Sequence, residues 1–574
     1  MTAVAQIGGS RAADKRDWTM ASVLRDAVST HPERVCVRTM RGESLTYAQV
    51  VSRVEKRAAG LAGLGVTMGD RVVLLMDNSI EMLITWLAVD RLGAVEVPCN
   101  TANRGASLRH VLDDSGAAVA VVDARYAEQI ADLAEELSHL RTVVVRDARQ
   151  SRVIWRTLDV VDLVGIDVDR QLPTGFGASY RDSGAIIYTS GTTGPAKGVV
   201  VPQAHMYTFA RHVIEQLDIV ADDVYYVCLP LFHANAQFMQ VLPCLMTGAT
   251  IVLAEGFSAS GWIRDLNHCG ATVTSLLGVM AQYVYNQPDS KLDTSHAVTR
   301  MITIPLPAAI AVEFEQRFDT TCVEAYGMTE VCLPLYRPRG ERLRPGSCGK
   351  ALEEWFDVAI VDPETDEPLP DGEVGEIVVR PRSPFTTFAG YHAMPERTVE
   401  AWRNLWFHTG DAGRRDEDGY YYFVDRLNDR IRRKGENVST YDIEIALMEV
   451  AGVEEAAVVA KPAEEGEDEI KAFLVVADGL DLDPVEVLSH CVERLPYFAV
   501  PRYLEFVTVM SKTPTGKILK RDLRAHDTGD TEWDRERAGY TVKRGVPHLV
   551  PLEHPTDPLT MPPKRAELGG LPCG

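Results

Sequence analysis

The stretch from Tyr188 to Val199, YTSGTTGPAKGV, places the tightest constraint on how this chain can fold. An apolar β-type run, Ala185 to Tyr188, precedes it and a second, Val199 to Val201, follows, so the polar residues between them form a loop joining two strands. Gly191, Gly194 and Gly198 let the backbone approach an anion closely, Ser190, Thr192 and Thr193 supply hydroxyl donors, and Lys197 supplies a mobile positive charge. That is the donor density a di- or triphosphate needs. The spacing is neither G-x-x-x-x-G-K-[ST] nor G-x-G-x-x-G, which excludes the common NTPase loop and the dinucleotide fingerprint. Read alone, the loop is also compatible with an ordinary turn rich in Gly and Thr.

Charge matters here because the loop invites a polyanion. The 574 residues carry a formal charge of −23, which argues against non-specific binding to nucleic acid or anionic lipid, so a phosphate ligand must be held by local donors. The length implies several packing units. Ten cysteines lie far apart with no C-x-x-C, which argues for reduced thiols and against a metal cage or disulfide framework. No stretch reaches the roughly 18 apolar residues of a membrane span, and the first residues lack the apolar core of a signal peptide, so a cytoplasmic protein is expected.

From Trp18 to about Tyr180, strand-like runs (Val35 to Arg38, Arg71 to Met76, Ala117 to Val122) alternate with amphipathic helical stretches (Tyr47 to Leu64, Ile80 to Leu92), the pattern of an α/β architecture with largely parallel strands. Met206, Phe209, Val213 and Leu217 recur at helical spacing and are expected to pack on a sheet. In the segment from Cys228 to Gln237, an apolar run ends in the polar residues His233, Asn235 and Gln237. Ala325 to Glu330, AYGMTE, sets a ring that can lie against a purine beside oxygens suited to phosphate and Mg²⁺. The arginines 337, 339, 342 and 344 that follow read as a solvated face. In Trp406 to Asp411, WFHTGD, the carboxylate can accept from both hydroxyls of a ribose. The segment from Tyr441 to Val509 alternates helix and strand as a compact α+β unit, followed by Lys512 to Ile518, KTPTGKI. From His526 on, seven prolines after residue 546 and few periodic apolar positions suggest an extended tail.

In their order, YTSGTTGPAKGV, AYGMTE, WFHTGD, RRKGEN (432–437) and PTGK (514–517) resemble the motifs of the adenylate-forming superfamily, which includes acyl- and aryl-CoA synthetases, luciferase and peptide-synthetase adenylation domains. Residues 303–307, TIPLP, stand where many members carry a Gly-Gly-Ala-Pro-like turn, a departure similar to that of the carnitine and crotonobetaine CoA ligase branch. The resemblance implies a large N-terminal domain over 1–425 with mainly parallel sheets and a β-rich subdomain, a hinge at 426–428 turning on Asn428, a small mobile α+β domain over 429–525, and a Pro-rich tail over 526–574. It further implies that ATP is held by Thr189, Ser190, Gly191, Thr192 and Thr193, with Tyr326, Gly327 and Met328 at the adenine and Asp411 and Arg426 at the ribose. Lys197, Thr329, Glu330 and Lys517 become catalytic candidates, with Glu330 as the Mg²⁺ ligand. His233, Gln237, Val279 and Leu306 become the acid pocket, and Gly435 lines a pantetheine tunnel, although Lys434 replaces a residue that is often small. A carboxylate is already ionised near neutral pH, so His233 is not expected to act as a general base.

The activity implied is ATP-dependent activation of a small or polar carboxylic acid as an acyl adenylate, with pyrophosphate released, followed by transfer to CoA. Two alternatives keep the adenylation step: nitrous acid activated for diazotisation of an aryl amine without CoA, and loading of an acyl carrier protein. The partners implied are therefore a small acid and CoA or another nucleophilic acceptor, and a homodimer is compatible with the sequence. A non-catalytic nucleotide-binding scaffold is disfavoured by the retention of Lys197, Glu330, Asp411 and Lys517.

Overall fold

Two helices that are apolar on nearly every side fix the layout of the larger part of the molecule. In helix Ile80–Arg91 only Glu81 and Arg91 escape burial, and helix Gln203–Leu217 buries twelve of its fifteen residues. A helix apolar all round has to be covered all round. In this computed structural model both helices lie between two sheets. Helix Gln203–Leu217 touches strands Ser183–Thr189 and Lys197–Pro202 of one sheet and strands Arg300–Ile304 and Cys332–Tyr336 of the other; helix Ile80–Arg91 likewise touches Val95–Pro98 and Val35–Thr39. The structure describes residues 14–551 apart from 151–152, 154, 171, 173–176, 190–195, 305, 428–430, 434–435, 439, 463–467, 478, 513–517, 527–530 and 544–548.

The first sheet has eight strands in the order Gly390–Tyr391, Lys197–Pro202, Ser183–Thr189, Val95–Pro98, Arg71–Leu75, Val119–Asp123, Thr142–Arg146 and Asp159–Asp162. Pairing is parallel from Ser183–Thr189 outward through Asp159–Asp162 and antiparallel at the other end, where the loop hairpin and the short strand Gly390–Tyr391 lie. In the second sheet Val35–Thr39, Thr250–Leu253, Val224–Val227, Val273–Leu277, Arg300–Ile304 and Thr321–Met328 are parallel neighbours in that order. The chain then turns back antiparallel through Cys332–Tyr336 and Ser347–Ala351. The expected α/β class with mainly parallel sheets is therefore what the chain adopts. The capping chemistry agrees: Thr46 and Gln49 form a reciprocal capping box on helix Tyr47–Gly63, and the Ser79 hydroxyl accepts from Met82 N at the start of helix Ile80–Arg91.

Two compact units divide the chain. One comprises the residues up to 359 with 378–409 and 415–422; the other comprises 360–377, 410–414 and the residues from 423 on. The second contains a four-stranded sheet, Val453–Pro462, Asp468–Val476, Tyr503–Val507 and Glu532–Asp534, with helices Thr440–Met448 and Pro484–Arg494.

Two expectations are corrected. Residues 531–551 are not an extended tail. Strand Glu532–Asp534 pairs antiparallel with Tyr503–Val507, and Trp533, Val542 and Leu549 join the unit's apolar core. The docking is electrostatic as well: the buried Lys471 ammonium lies 2.7 Å from Glu505 Oε2 and 2.9 Å from Glu532 Oε2, and Arg502 pairs with Asp534. Proline counting missed this because three residues suffice to extend a sheet. The second correction concerns Arg337, which is not solvated: it is buried, pairs with Glu315 and donates to the Cys322 carbonyl at 2.8 Å.

Two outcomes follow from burial. Trp533→Ala should destabilise the C-terminal unit by about 3 kcal/mol, the usual cost of deleting a buried aromatic, read from its chemical denaturation. Asp90, enclosed in helix Ile80–Arg91 and bonded to the Gln203 amide, has its carboxyl pushed by burial from 3.8 up to about 7. Because the folded form keeps a proton that the unfolded chain releases, its stabilising effect is full below the ordinary value and lost as pH rises through the folded one. Asp90→Asn should therefore flatten the fall in denaturation midpoint between about pH 4 and about pH 7.

Candidate active site

The loop hairpin is built as its flanking sequence implies: Thr189 stands opposite Lys197 and Tyr188 opposite Gly198 across an antiparallel pair. Its two ends are anchored to the C-terminal half of helix Gly105–Asp114. The Tyr188 hydroxyl donates to Asp114 Oδ2 at 2.6 Å, His110 Nε2 lies 2.8 Å from the Ala196 carbonyl, and His392, whose N–H donates to the Gly198 carbonyl at 2.7 Å, lies 3.0 Å from the Asp114 carbonyl through Nε2. Gly198 is needed for a reason other than anion approach. A Cβ there would meet Ile186 at 2.8 Å, His392 at 3.1 Å and the Tyr188 ring at 3.2 Å, so the missing side chain makes room for the anchor itself.

The second motif lies on the reversal between strands Thr321–Met328 and Cys332–Tyr336. Gly327 is obligatory: a Cβ would sit 1.9 Å from the Cys332 carbonyl oxygen. Cys332 itself takes φ +67°, a left-handed backbone that a residue with a Cβ adopts at a cost, and such strain concentrates at sites where the surroundings impose a geometry. The reversal leaves Tyr326 and Glu330 buried and Met328 and Thr329 partly exposed. The Phe388 N–H donates to the Glu330 carbonyl at 2.8 Å, and the Tyr391 hydroxyl donates to Glu330 Oε1 at 3.1 Å. The Lys197 ammonium lies over the same Tyr391 ring, 4.9 Å from its centroid. Lys197 and Glu330, 133 positions apart in the sequence, thus meet on one phenol. Sequence reasoning missed Tyr391, His110, Asp114 and His392, because each acts through a partner more than 60 positions away; the one local hint was a glycine, Gly390 at φ +134°, just before an aromatic residue.

In the second unit Asp411 and Arg426 are brought together, with Arg426 Nε 2.8 Å from Asp411 Oδ1 and the aspartate almost fully buried. Neighbouring Asp425 has different work: its Oδ2 accepts from the Thr440 N–H at 2.7 Å and the Thr440 hydroxyl at 2.8 Å at the start of helix Thr440–Met448.

The acid-pocket candidates differ among themselves. His233 packs on Phe232 at 4.6 Å, and burial lowers its imidazole to about 4, so it is neutral near pH 7. A π-helical turn, Asn235–Val241, follows it, a widened helix often found at functional sites. Gln237 is fully buried on that turn and its amide donates to Glu96 Oε2 at 3.0 Å, so its side chain faces the interior and not an open pocket. Leu306 is buried, while Val279 is 37 % exposed at the start of helix Gly278–Tyr285. Ser190, Gly191, Thr192, Thr193, Asn428, Gly435 and Lys517 lie outside the described residues.

The donor set at Glu330 fits Mg²⁺. Magnesium takes hard oxygen ligands and commonly needs only one or two carboxylates when phosphates and water supply the rest, and Glu330 is a buried carboxylate beside the loop lysine's partner. Among the described residues no cluster of three or more His, Cys, Asp or Glu forms a metal cage.

With this geometry in hand, likeness to known proteins defines the class. Residues 24–392 match the family of AMP-binding enzymes and residues 442–517 match the AMP-binding enzyme C-terminal domain. The chain belongs to the AMP-binding enzyme family, and within it to the AMP-forming ligases of the acyl-CoA synthetase type. It is 31% identical over 492 residues to the crotonobetaine/carnitine–CoA ligase of Salmonella paratyphi B, covering 83% of this chain and 93% of that protein. ATP-bound MatB from Rhodopseudomonas palustris superposes with a TM-score of 0.78 at 26% identity, covering 88% of this chain and 98% of that one. The anthranilate CoA ligase AuaEII, at 24% identity and a TM-score of 0.79 over 88% of this chain and 96% of that one, shares the fold.

Gly327→Ala should force the reversal apart. We expect roughly 2 kcal/mol or more of lost stability in the large unit together with weakened ATP binding, measured by denaturation and by calorimetric titration.

Proposed function

We propose that the protein activates a small or polar carboxylic acid with ATP and passes the acyl group to CoA. The observation that carries this reading is the meeting of Lys197 and Glu330 on Tyr391, a phosphate-binding cation and a metal-binding anion in one place, within a chain whose relatives include a crotonobetaine/carnitine–CoA ligase.

In the first step a carboxylate oxygen attacks the α-phosphorus of ATP, the bond to the β-phosphate oxygen breaks, and pyrophosphate leaves. Two anions must approach each other, so this chain's residues serve to neutralise and align charge. Lys197 and the 189–193 loop hold the departing phosphates, Tyr326 with Gly327 and Met328 borders the adenine, and Asp411, oriented by Arg426, accepts from the ribose hydroxyls. Thr329 contributes a hydroxyl to phosphate, and Lys517 bridges the α-phosphate and the acid. Glu330 would hold Mg²⁺, which when bound supplies further neutralisation of phosphate charge. Neutral His233, with Leu306 and Val279, borders the acid; Gln237 supports that wall from the interior through Glu96. In the second step the CoA sulfur attacks the acyl carbonyl carbon, the bond to AMP breaks, and thioester and AMP form. We assign 1–425 to the first step's large domain, with the segments 360–377, 410–414 and 423–425 grouping by contact with the C-terminal unit, and Asn428 to the hinge about which the small domain turns to admit pantetheine past Gly435. The small domain extends beyond 525, because strand Glu532–Asp534 belongs to its sheet.

Pyrophosphate release measured over a panel of carboxylic acids and nitrite, each with and without CoA or an aryl amine and with mass spectrometry of the products, tests the proposal. An acyl-CoA from a small polar acid is expected. A diazo product formed from nitrite without CoA, or release that no acid stimulates, would overturn it. In the same assay Lys517→Ala should lower adenylation by about 10²- to 10³-fold with the thermal transition unchanged.

A further inference from the structure

Tyr391 lies outside the five short strings that carry the resemblance, and both ends of its side chain are in use. Register explains one end. Tyr391 pairs with Val199 across the antiparallel strands Gly390–Tyr391 and Lys197–Pro202. Side chains two residues apart on a strand share a face, so Lys197 and Tyr391 form a diagonal cross-strand pair, and the ammonium comes to rest 4.9 Å from the ring centroid. The other end is fixed by the backbone leading into the strand. The Phe388 N–H donates to the Glu330 carbonyl at 2.8 Å, the Ala389 N–H to the Val200 carbonyl at 2.8 Å, and the Tyr391 N–H to the Thr398 hydroxyl at 2.9 Å. Phe388 packs edge-on against the ring at 5.1 Å and is itself backed by Phe407 at 5.3 Å. Held in this way, the phenol hydroxyl reaches Glu330 Oε1 at 3.1 Å.

We infer that Tyr391 is a positioning residue for adenylation: its hydroxyl orients the Glu330 carboxylate for the metal and its ring seats the Lys197 ammonium for the phosphates. The inference rests on the nucleotide-site reading given above. The physical reason lies in the choice of partner. A lysine and a glutamate that must both face a metal–triphosphate attract each other strongly when no ligand is bound, and a direct ion pair would have to be broken on binding. A phenol offers each charge a weaker partner, a hydrogen bond to the anion and a ring face to the cation, and keeps both in place. Groups that orient a metal-binding carboxylate in this way typically account for about 10- to 100-fold in metal affinity or activity.

The test uses the full-length protein, Tyr391→Phe and Tyr391→Leu, with ATP titrated calorimetrically at a series of Mg²⁺ concentrations and without metal. In the wild type Mg²⁺ should tighten ATP binding. In Tyr391→Phe, which keeps the ring, metal-free ATP affinity should be unchanged and the Mg²⁺ concentration needed for half of the tightening should rise about tenfold or more, with excess Mg²⁺ restoring it. Tyr391→Leu should also weaken metal-free ATP binding severalfold, because the ring under Lys197 is gone. An unchanged Mg²⁺ requirement in Tyr391→Phe overturns the inference. So does an equal loss with and without metal, which would show a purely structural role. If the wild type itself fails to bind Mg·ATP, the nucleotide-site reading fails and the inference falls with it. A wild type that binds and adenylates beside a Tyr391→Phe of unaltered metal response removes this inference alone.

Discussion

Complete burial of two helices between two sheets is the constraint on which the large unit depends. Helices Ile80–Arg91 and Gln203–Leu217 have almost no surface to spare for water, so the sheets on either side are locked to one another through them. Strands that leave this sandwich at its rim therefore start from fixed positions. Strand Gly390–Tyr391, paired with the loop hairpin, belongs to one sheet and the Gly327–Cys332 reversal to the other, and the rigidity of the layers beneath lets the 3.1 Å contact from the Tyr391 hydroxyl to Glu330 persist.

An acidic protein that handles polyphosphate has to solve an electrostatic problem locally, because its overall field repels the ligand. The candidate cations are individually supported: in the first unit Lys197 rests on an aromatic face, and in the second Arg426 is set against the buried Asp411. Imidazoles in the interior do not add to them. His205 and His212 are fully enclosed and burial drives both down to about 3, so helix Gln203–Leu217 carries no positive charge from its histidines at neutral pH.

Much of the fold was legible because its signals are local. The apolar periodicity at Met206, Phe209, Val213 and Leu217, the alternation from Val35 onward and the helix Pro484–Arg494 all depend on neighbours within a few residues. The candidate site residues stood out only as a resemblance of short strings. Their partners did not. Nothing near Tyr391 in sequence announces Glu330 or Lys197, and nothing near Gln237 announces that its amide serves Glu96. Part of what the absent side chain of Gly198 makes room for was equally hidden: His392 comes from almost two hundred residues later. Composition misled as well, since a proline-rich ending hid the three residues that complete the C-terminal sheet.

That last strand has a further meaning for how the protein behaves in a crowded solution. A sheet that ends in an open strand offers its unpaired amides and carbonyls to any other chain that can zip onto them. Among the described residues one edge strand of this sheet, Glu532–Asp534, is only three residues long, and two of the three are acids engaged with Lys461, Lys471 and Arg502. Short and charged, that edge makes a poor template for another chain, in a part of the enzyme that otherwise presents several long apolar strands side by side.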